Sequence, residues 1–261
     1  MKFIDCHMHY FGDKIDNIKS QINSSKYKDI YLGYQSINYE NIDISQHINM
    51  CQGGFIMPYC IKETNIKYAN NKLLKFAESL NKNNIYFFPF IENNIFEKMD
   101  MDNIKGFKEH FYIHNSFQCH ERDKSYRYLS DNKKLLILHC DNNIRVDYVK
   151  YLIDKYPNML IQIAHMGIFR NCIAETKYVI DEISNLENIY FDISTVFDKY
   201  IIEYAFKLMP ERILFGTDIP YIIDSDYMDK YIQFIENCKF TSEEKKKLYY
   251  ENAEGLINKI N

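Results

Sequence analysis

The sequence predicts an α/β fold, a single-domain (β/α)8 barrel, on three observations. Eight short β-rich apolar runs recur along the 261 residues. Most are followed by a segment with helical periodicity, and alternating strand and helix implies a parallel sheet. Several runs close on a His or an Asp, which places polar groups at the C-terminal rim where barrels carry their chemistry.

In order, the runs are Phe3–His9, Gly53–Cys60, Ile85–Ile91, Ile104–Phe111, Leu135–Cys140, Leu160–Gly167, Ile189–Ser194 and Ile213–Asp218. Helices are expected over Tyr68–Asn81, Arg145–Tyr156, Ala174–Leu186 and Val196–Met209, where apolar residues return at three- and four-residue spacing. A last helix is expected over Ser242–Ile260, opened by Thr241 with Glu244 three residues on, the capping-box pattern. Phe11–Met50 is polar and long for a strand-to-helix connection; it is expected to be a loop with irregular helix over part of the mouth. No linker, repeat or low-complexity tract divides the chain, so residues 1–261 are expected to form one domain.

Apolar residues make up 46% and charged residues 26%, ample for a core. The net charge of −4 and the lack of a Lys/Arg-rich arm argue against a nucleic-acid partner. No stretch approaches the length of an apolar membrane span, and the opening MKFIDCHMHYFG lacks the apolar centre of a signal peptide. The seven cysteines (6, 51, 60, 119, 140, 172 and 238) form no CxxC pair and read as reduced, mostly buried thiols of a cytoplasmic protein.

His7 and His9 form a His-x-His at the end of the first run. A spacing of two puts both imidazoles on one strand face with Asp5 below them, leaving Ile4, Cys6 and Met8 for the helix side. Two neutral imidazoles converging there can ligate one metal, and nitrogen donors suit Zn, Fe, Ni or Mn. His139, His165 and Asp218 each close another run. Four His and one Asp at the ends of four strands therefore predict a metal site at the mouth. Such a metal lowers the pKa of a bound water to roughly 7. A nearby carboxylate can move that proton, and an imidazole can stabilise the developing oxyanion.

The set Asp5-x-His7-x-His9, His139, His165, Gly216-Thr217-Asp218 and Glu251-Asn-Ala resembles the amidohydrolase superfamily of TIM-barrel metal-dependent hydrolases. More narrowly it resembles the group containing carboxymuconate-semialdehyde decarboxylases and pyrone-dicarboxylate lactonases. The resemblance runs in strand order from residue 3 to about 257. It implies His7, His9, His139 and Asp218 as ligands of one divalent ion, zinc first, with manganese or iron as alternatives. It further implies Asp218 as the group that takes a proton, and His165 as a catalytic neighbour or a ligand of a second metal.

On the fourth run, alternation puts Gly106, Lys108 and His110 on one face, with Gly106 leaving space in the barrel. Related families carry Gly-x-Lys-x-His here, which implies Lys108 and His110 facing inward and Lys108 binding an anionic substrate group. Three alternatives stay open: a carboxylated Lys108 bridging two metals, Glu109 bridging them from the opposite face, or Lys108 snorkelling to the rim. Arg170 is expected either to fork onto a substrate carboxylate or phosphate or to form a surface salt bridge. Asp192 and Ser194 share a face and either line the pocket or satisfy interior hydrogen bonds. Tyr10, Tyr59 and Tyr221 stand near strand ends, where they could shape the pocket. His47, His114 and His120 receive no role, and Cys6 and Cys140 are expected to point away from the ligands.

The expected function is hydrolysis of a small anionic amide, lactone or ester. The alternative is non-oxidative decarboxylation of an unsaturated or aromatic acid at the same site. A phosphoesterase of the polymerase-and-histidinol-phosphatase type also opens with His-x-His but lacks the Gly-Thr-Asp ending. A barrel without activity would not need every ligand position filled. The expected partner is a small-molecule substrate, and barrels of the resembled group often form homodimers.

Overall fold

A computed structural model describes residues 2–12, 44–59, 64–80, 82, 84–92, 104–110, 122–139, 146–167, 173–220 and 226–260. Eight strands run in parallel: β1 (Ile4–Tyr10), β2 (Gly53–Pro58), β3 (Ile85–Phe87), β4 (Gly106–His110), β5 (Leu135–His139), β6 (Leu160–Ile163), β7 (Ile189–Asp192) and β8 (Ile213–Leu214). They form two sheets in sequence order, β1–β3 and β4–β8. The sheets meet at both edges through isolated bridges instead of regular ladders. Between β3 and β4, Lys108 N–H donates to Pro89 O (2.8 Å) and Ile91 N–H to Lys108 O (2.9 Å). Between β8 and β1, Cys6 N–H donates to Phe215 O (2.9 Å), Asp218 N–H to His7 O (2.7 Å) and His9 N–H to Ile219 O (2.7 Å).

Around the strands lie α1 (Ile44–Met50), α2 (Ile66–Ser79), α3 (Asp123–Asp131), α4 (Val146–Lys155), α5 (Ile173–Ile183), α6 (Lys199–Leu208) and α7 (Tyr227–Glu236). The C-terminal segment runs through α8 (Ser242–Lys246), a π-helical turn (Lys247–Glu251) and α9 (Asn252–Lys259). Asn65 caps α2 by accepting from Tyr68 N–H, and Thr241 with Glu244 forms the expected capping box on α8.

Alternate residues of the strands divide the core in two. One set, including Leu136, Leu138, Ile161, Ile163 and Phe191, packs under the helices against residues such as Leu73, Val149, Ile180 and Ile201. The other set, including Ile4, Phe55, Met57, Leu135, Ile137 and Leu214, fills the lumen and packs on Ala253, Leu256 and Ile260 of the C-terminal segment. The lumen floor is therefore apolar, and its polar residues lie towards the strands' C-terminal ends. Among the described residues no helix is long and apolar enough to cross a membrane.

Several elements differ from the sequence reading. Helices α1, α3 and α7 lie outside the segments expected to be helical; their buried faces are carried largely by polar or aromatic residues such as His47, Ser125, Tyr126, Tyr227 and Tyr231. Strand six stops at Ile163: Ala164–Gly167 is a 3-10 turn with His165 (φ 54°) and Met166 (φ 52°) in the left-handed region. Strand eight spans only Ile213–Leu214, so Asp218 stands beyond it, also left-handed at φ 64°. A Cβ on Gly106 would collide with the Leu135 backbone, so this glycine admits the neighbouring strand and opens no space in the lumen. Of the expected mouth loop, residues 13–43 lie outside the described residues; its last part is α1.

Candidate metal centre

The His-x-His strand carries a register shift. Ile4 pairs with Gly53 and Asp5 with Gly54, but the next partners are Met8 and Ile56, three residues of β1 against two of β2. The extra residue breaks the two-residue alternation, as a β-bulge does. Asp5 bonds to His47 of α1 and to Thr217, while Ile4 and Cys6 pack in the lumen cluster. This corrects the expectation that Asp5 lies beneath the histidines and that Ile4 and Cys6 face the helices. Met8 lies in the helix-side core, as expected. His7 and His9 converge, with their Nε2 atoms 3.2 Å apart.

Asp218 completes a triangle. Its Oδ1 lies 3.2 Å from His9 Nε2 and 3.4 Å from His7 Nε2. The far nitrogen of each imidazole faces an acceptor: His9 Nδ1 lies 2.7 Å from Pro58 O, and His7 Nδ1 lies 2.9 Å from Asp192 Oδ2. A carbonyl or carboxylate oxygen can only accept there, so both rings carry their proton on Nδ1 when neutral. Burial favours the neutral form. It brings the His7 pKa down to about 3, with Lys108 adding and Asp192 opposing, and it lowers His9 despite the Asp218 carboxylate. For Asp218, burial opposes ionisation, but the imidazoles of His165, His9 and His7 hold the carboxyl below the usual range. Three lone pairs therefore face one another with no hydrogen to share.

That arrangement fits a cation. Ligand atoms about 2.1 Å from a tetrahedral metal stand about 3.4 Å apart, close to the 3.2–3.4 Å edges here. His7, His9 and Asp218 would hold the ion. The Nδ1–H bonds to Asp192 and Pro58 are the outer contacts that fix ligand orientation in metal sites.

Asp192 is the hub behind this triangle. Its Oδ2 accepts from His7 Nδ1 and from Gln162 Nε2 (2.7 Å). Its Oδ1 accepts from the N–H groups of His165 (3.0 Å) and Ser194 (3.2 Å) and from the Ser194 hydroxyl. Burial works against its ionisation, and His7 is the main group that holds it well below the usual carboxylate range. The sequence marked Asp192 only as lining or interior; its tie to His7 crosses the barrel and leaves no local signature.

His165 Nδ1 lies 3.0 Å from Ser194 O and 2.8 Å from Ser194 Oγ, so its Nε2 points at His139 Nδ1, 3.2 Å away. The His139 ring stacks on His110 at 4.0 Å and 15°. Among the described residues the close triangle does not include His139: the groups of three ligand atoms around His7 are His7–His9–Asp218 and His7–His165–Asp192. Burial, His165 and Lys108 push the His139 pKa well below the ordinary value. His165, Asp218 and Thr195 (φ 61°) are all left-handed, a conformation of order 1–3 kcal/mol each that recurs at functional sites.

Lys108 is fully buried, and its charge lowers the pKa of His7, His9 and His139, which places it among them rather than at the rim. Glu109 faces the other way. It takes Arg122 at 3.0 Å, Tyr126 Oη at 2.8 Å and Tyr148 Oη at 3.2 Å in the helix layer, so it is not a bridging ligand. Burial raises the Glu109 pKa even against Arg122. Tyr10 stacks on Phe76 at 4.1 Å, and Tyr59 stacks on Phe11 at 5.5 Å. Arg170, Tyr221, His114, His120, Cys60, Cys119, Cys140 and Cys172 lie outside the described residues.

Comparison with known proteins places this barrel. Residues 143–258 match the family described as Amidohydrolase. Solved structures of similar fold include an amidohydrolase II (TM-score 0.72, 16% identity, covering 98% of this chain and 99% of that one). Another is a "probable 2-pyrone-4,6-dicarboxylic acid hydrolase" from Acinetobacter baumannii with citric acid bound (TM-score 0.67, 15% identity, 99% and 100% covered). A third is a dihydroxybenzoic acid decarboxylase from Polaromonas sp. JS666 with bound manganese and 2-nitroresorcinol (TM-score 0.61, 15% identity, 98% and 96% covered). No curated protein matches the chain. These likenesses show the fold, a (β/α)8 barrel, and the family match falls on its C-terminal part, residues 143–258.

Proposed function

We propose that the chain is a metal-dependent hydrolase of small anionic amides, lactones or esters. The observation that carries this is the triangle of His7 Nε2, His9 Nε2 and Asp218 Oδ1, three facing lone pairs 3.2–3.4 Å apart. A divalent ion held there, zinc first from the nitrogen-rich donor set, would make a hydroxide nucleophile accessible at neutral pH and polarise the scissile carbonyl. Asp218 is held ionised, so its carboxylate can accept a proton and return it to the leaving group. Lys108 supplies a buried positive charge in the lumen for an anionic substrate group. His165, turned by Ser194 towards His139, would offer its imidazole to the developing oxyanion. The similar fold of a pyrone-dicarboxylic acid hydrolase supports the reading.

Decarboxylation of an aromatic or unsaturated acid at the same site is the second reading, supported by the manganese-bearing decarboxylase of similar fold. Elemental analysis of protein purified without added metal tests the site, with one divalent ion per chain expected. Assay of small aromatic and unsaturated acids, lactones and amides for released carbon dioxide against released acid or amine tests the reaction. A folded chain that binds neither zinc nor manganese and gains no activity from either overturns both readings.

A further inference from the structure

The described residues hold another group of metal-ligand types, Asp5, His47 and Cys51, all buried. It is not a second cation site. His47 Nε2 lies 2.7 Å from Asp5 Oδ2, a hydrogen-bond length well short of the spacing between two ligands of one ion. The same oxygen accepts the Thr217 hydroxyl at 2.6 Å, and the Cys51 thiol is turned to the His47 carbonyl at 3.2 Å.

The cluster lies directly behind the triangle. Asp5 Oδ1 accepts the His7 N–H (3.0 Å) and the Thr217 N–H (3.1 Å), and Oδ2 accepts Thr217 Oγ1 and His47 Nε2. One carboxylate thus grips the backbone of His7 on β1 and of Thr217, next to Asp218, with two donors on each oxygen. It does so at the β8–β1 seam, where an isolated bridge, Met8 to Ile219, and scattered backbone bonds stand in place of a regular ladder. Asp218 needs such support, because its left-handed backbone is held by its neighbours. Its N–H donates to His7 O, Ile219 N–H donates to Thr217 Oγ1 (3.2 Å), and Tyr227 Oη donates to Thr217 O (2.9 Å).

His47 is the donor to this carboxylate that comes from outside the two strands. It is 4% exposed, and its Nδ1 has no partner among the described residues, so its one side-chain hydrogen bond is the one to Asp5. A buried imidazole with one nitrogen unsatisfied is a net burden on stability unless its other nitrogen does something useful.

We infer that His47 is a positioning residue: by donating to Asp5 it fixes the carboxylate that sets the separation of His7 and Asp218, and so the geometry of the ion-holding triangle. This rests on the metal reading above. Removing the donor leaves Oδ2 with Thr217 alone and frees the carboxylate to rotate, so the two ligand-bearing strand ends lose their common anchor.

The test compares His47→Leu with His47→Gln, whose amide N–H can reach where Nε2 does. Zinc and manganese affinities of the metal-free proteins are measured by chelator competition, alongside their melting temperatures. His47→Leu is expected to weaken metal binding by about 10–100-fold, the range found for outer contacts of metal ligands, and His47→Gln to stay within about threefold of wild type. Thr217→Val, which removes the hydroxyl donor to the same oxygen, should act in the same direction and less than additively with His47→Leu. A filler of space alone would lower the melting temperature and leave metal affinity unchanged. Unchanged affinity in His47→Leu, or equal loss in the Leu and Gln variants, overturns the inference and leaves the metal reading standing. A wild-type chain that binds neither ion overturns the metal reading, and this inference with it. If His47→Leu does not fold, His47→Asn, too short to reach Asp5, takes its place, and equal affinity of the Asn and Gln variants overturns the inference.

Discussion

His7 on β1 and Asp192 on β7 are joined by a 2.9 Å hydrogen bond from Nδ1 to Oδ2, and this bond determines which nitrogen of His7 faces the mouth. Both groups are fully buried. The carboxylate accepts the Nδ1 proton and leaves the Nε2 lone pair towards His9 and Asp218.

Asp192→Asn replaces that acceptor with an amide that can turn an N–H towards His7. The imidazole then favours the other tautomer, with its lone pair facing away from the triangle. Metal affinity is expected to fall by about 10–100-fold, measured by chelator competition. Wild-type affinity would show that the His7 tautomer does not depend on Asp192.

Asp218→Asn keeps the shape of the side chain and removes its capacity to accept a proton. Circular dichroism should show an intact fold, while turnover falls by about 10²–10⁴-fold, the usual contribution of a positioned acid–base group. Near-normal turnover would remove Asp218 from the proton-transfer role.

Arg122→Leu tests the assignment of Glu109 to the helix layer. It leaves a buried carboxylate with only its tyrosine donors, and breaking a buried ion pair in this way costs about 3–5 kcal/mol. Urea unfolding should report that loss, while metal content per folded chain stays as in wild type. A lowered metal content would mean that Glu109 contributes to the ion site after all.

Asp123 gives the fold a pH dependence of known sign. Lys155, Tyr156 and Arg127 hold its carboxyl below the ordinary value, so the folded chain binds that proton less tightly than the unfolded chain. The stabilisation is complete above the unfolded pKa of about 3.9 and is lost as pH falls towards the folded value. Acid titration of stability should therefore be shallower for Asp123→Asn than for wild type below about pH 4. Identical slopes would mean that solvent screens these partly exposed pairs completely.

The strands were legible because their apolar runs are short, β-rich and closed by polar residues, as Leu135–His139 shows. Alternation also separated Lys108 in the lumen from Glu109 in the helix layer. It failed at β1, where a bulge depends on pairing with a distant strand and leaves no mark on the residues themselves. His165 and Asp218 read as strand ends but stand in left-handed turns: the His165 N–H bonds to the Asp192 side chain, and the Asp218 N–H reaches His7 O across the β8–β1 seam after strand eight has ended. His47 carried no signal at all, since its meaning comes from Asp5, 42 residues away.

The two bridged seams divide the ring into arcs of three and five strands, and the triangle draws its corners from both. His7 and His9 belong to the shorter arc, while Asp218 follows the last strand of the longer one. An ion bound by all three would act as a rivet between parts of the sheet that are otherwise joined by scattered backbone bonds and by the carboxylates of Asp5 and Asp192. Loading it would then couple the opening of the two arcs, so amide hydrogens along the β8–β1 seam should exchange more slowly in the loaded protein, with melting temperature rising as free metal rises.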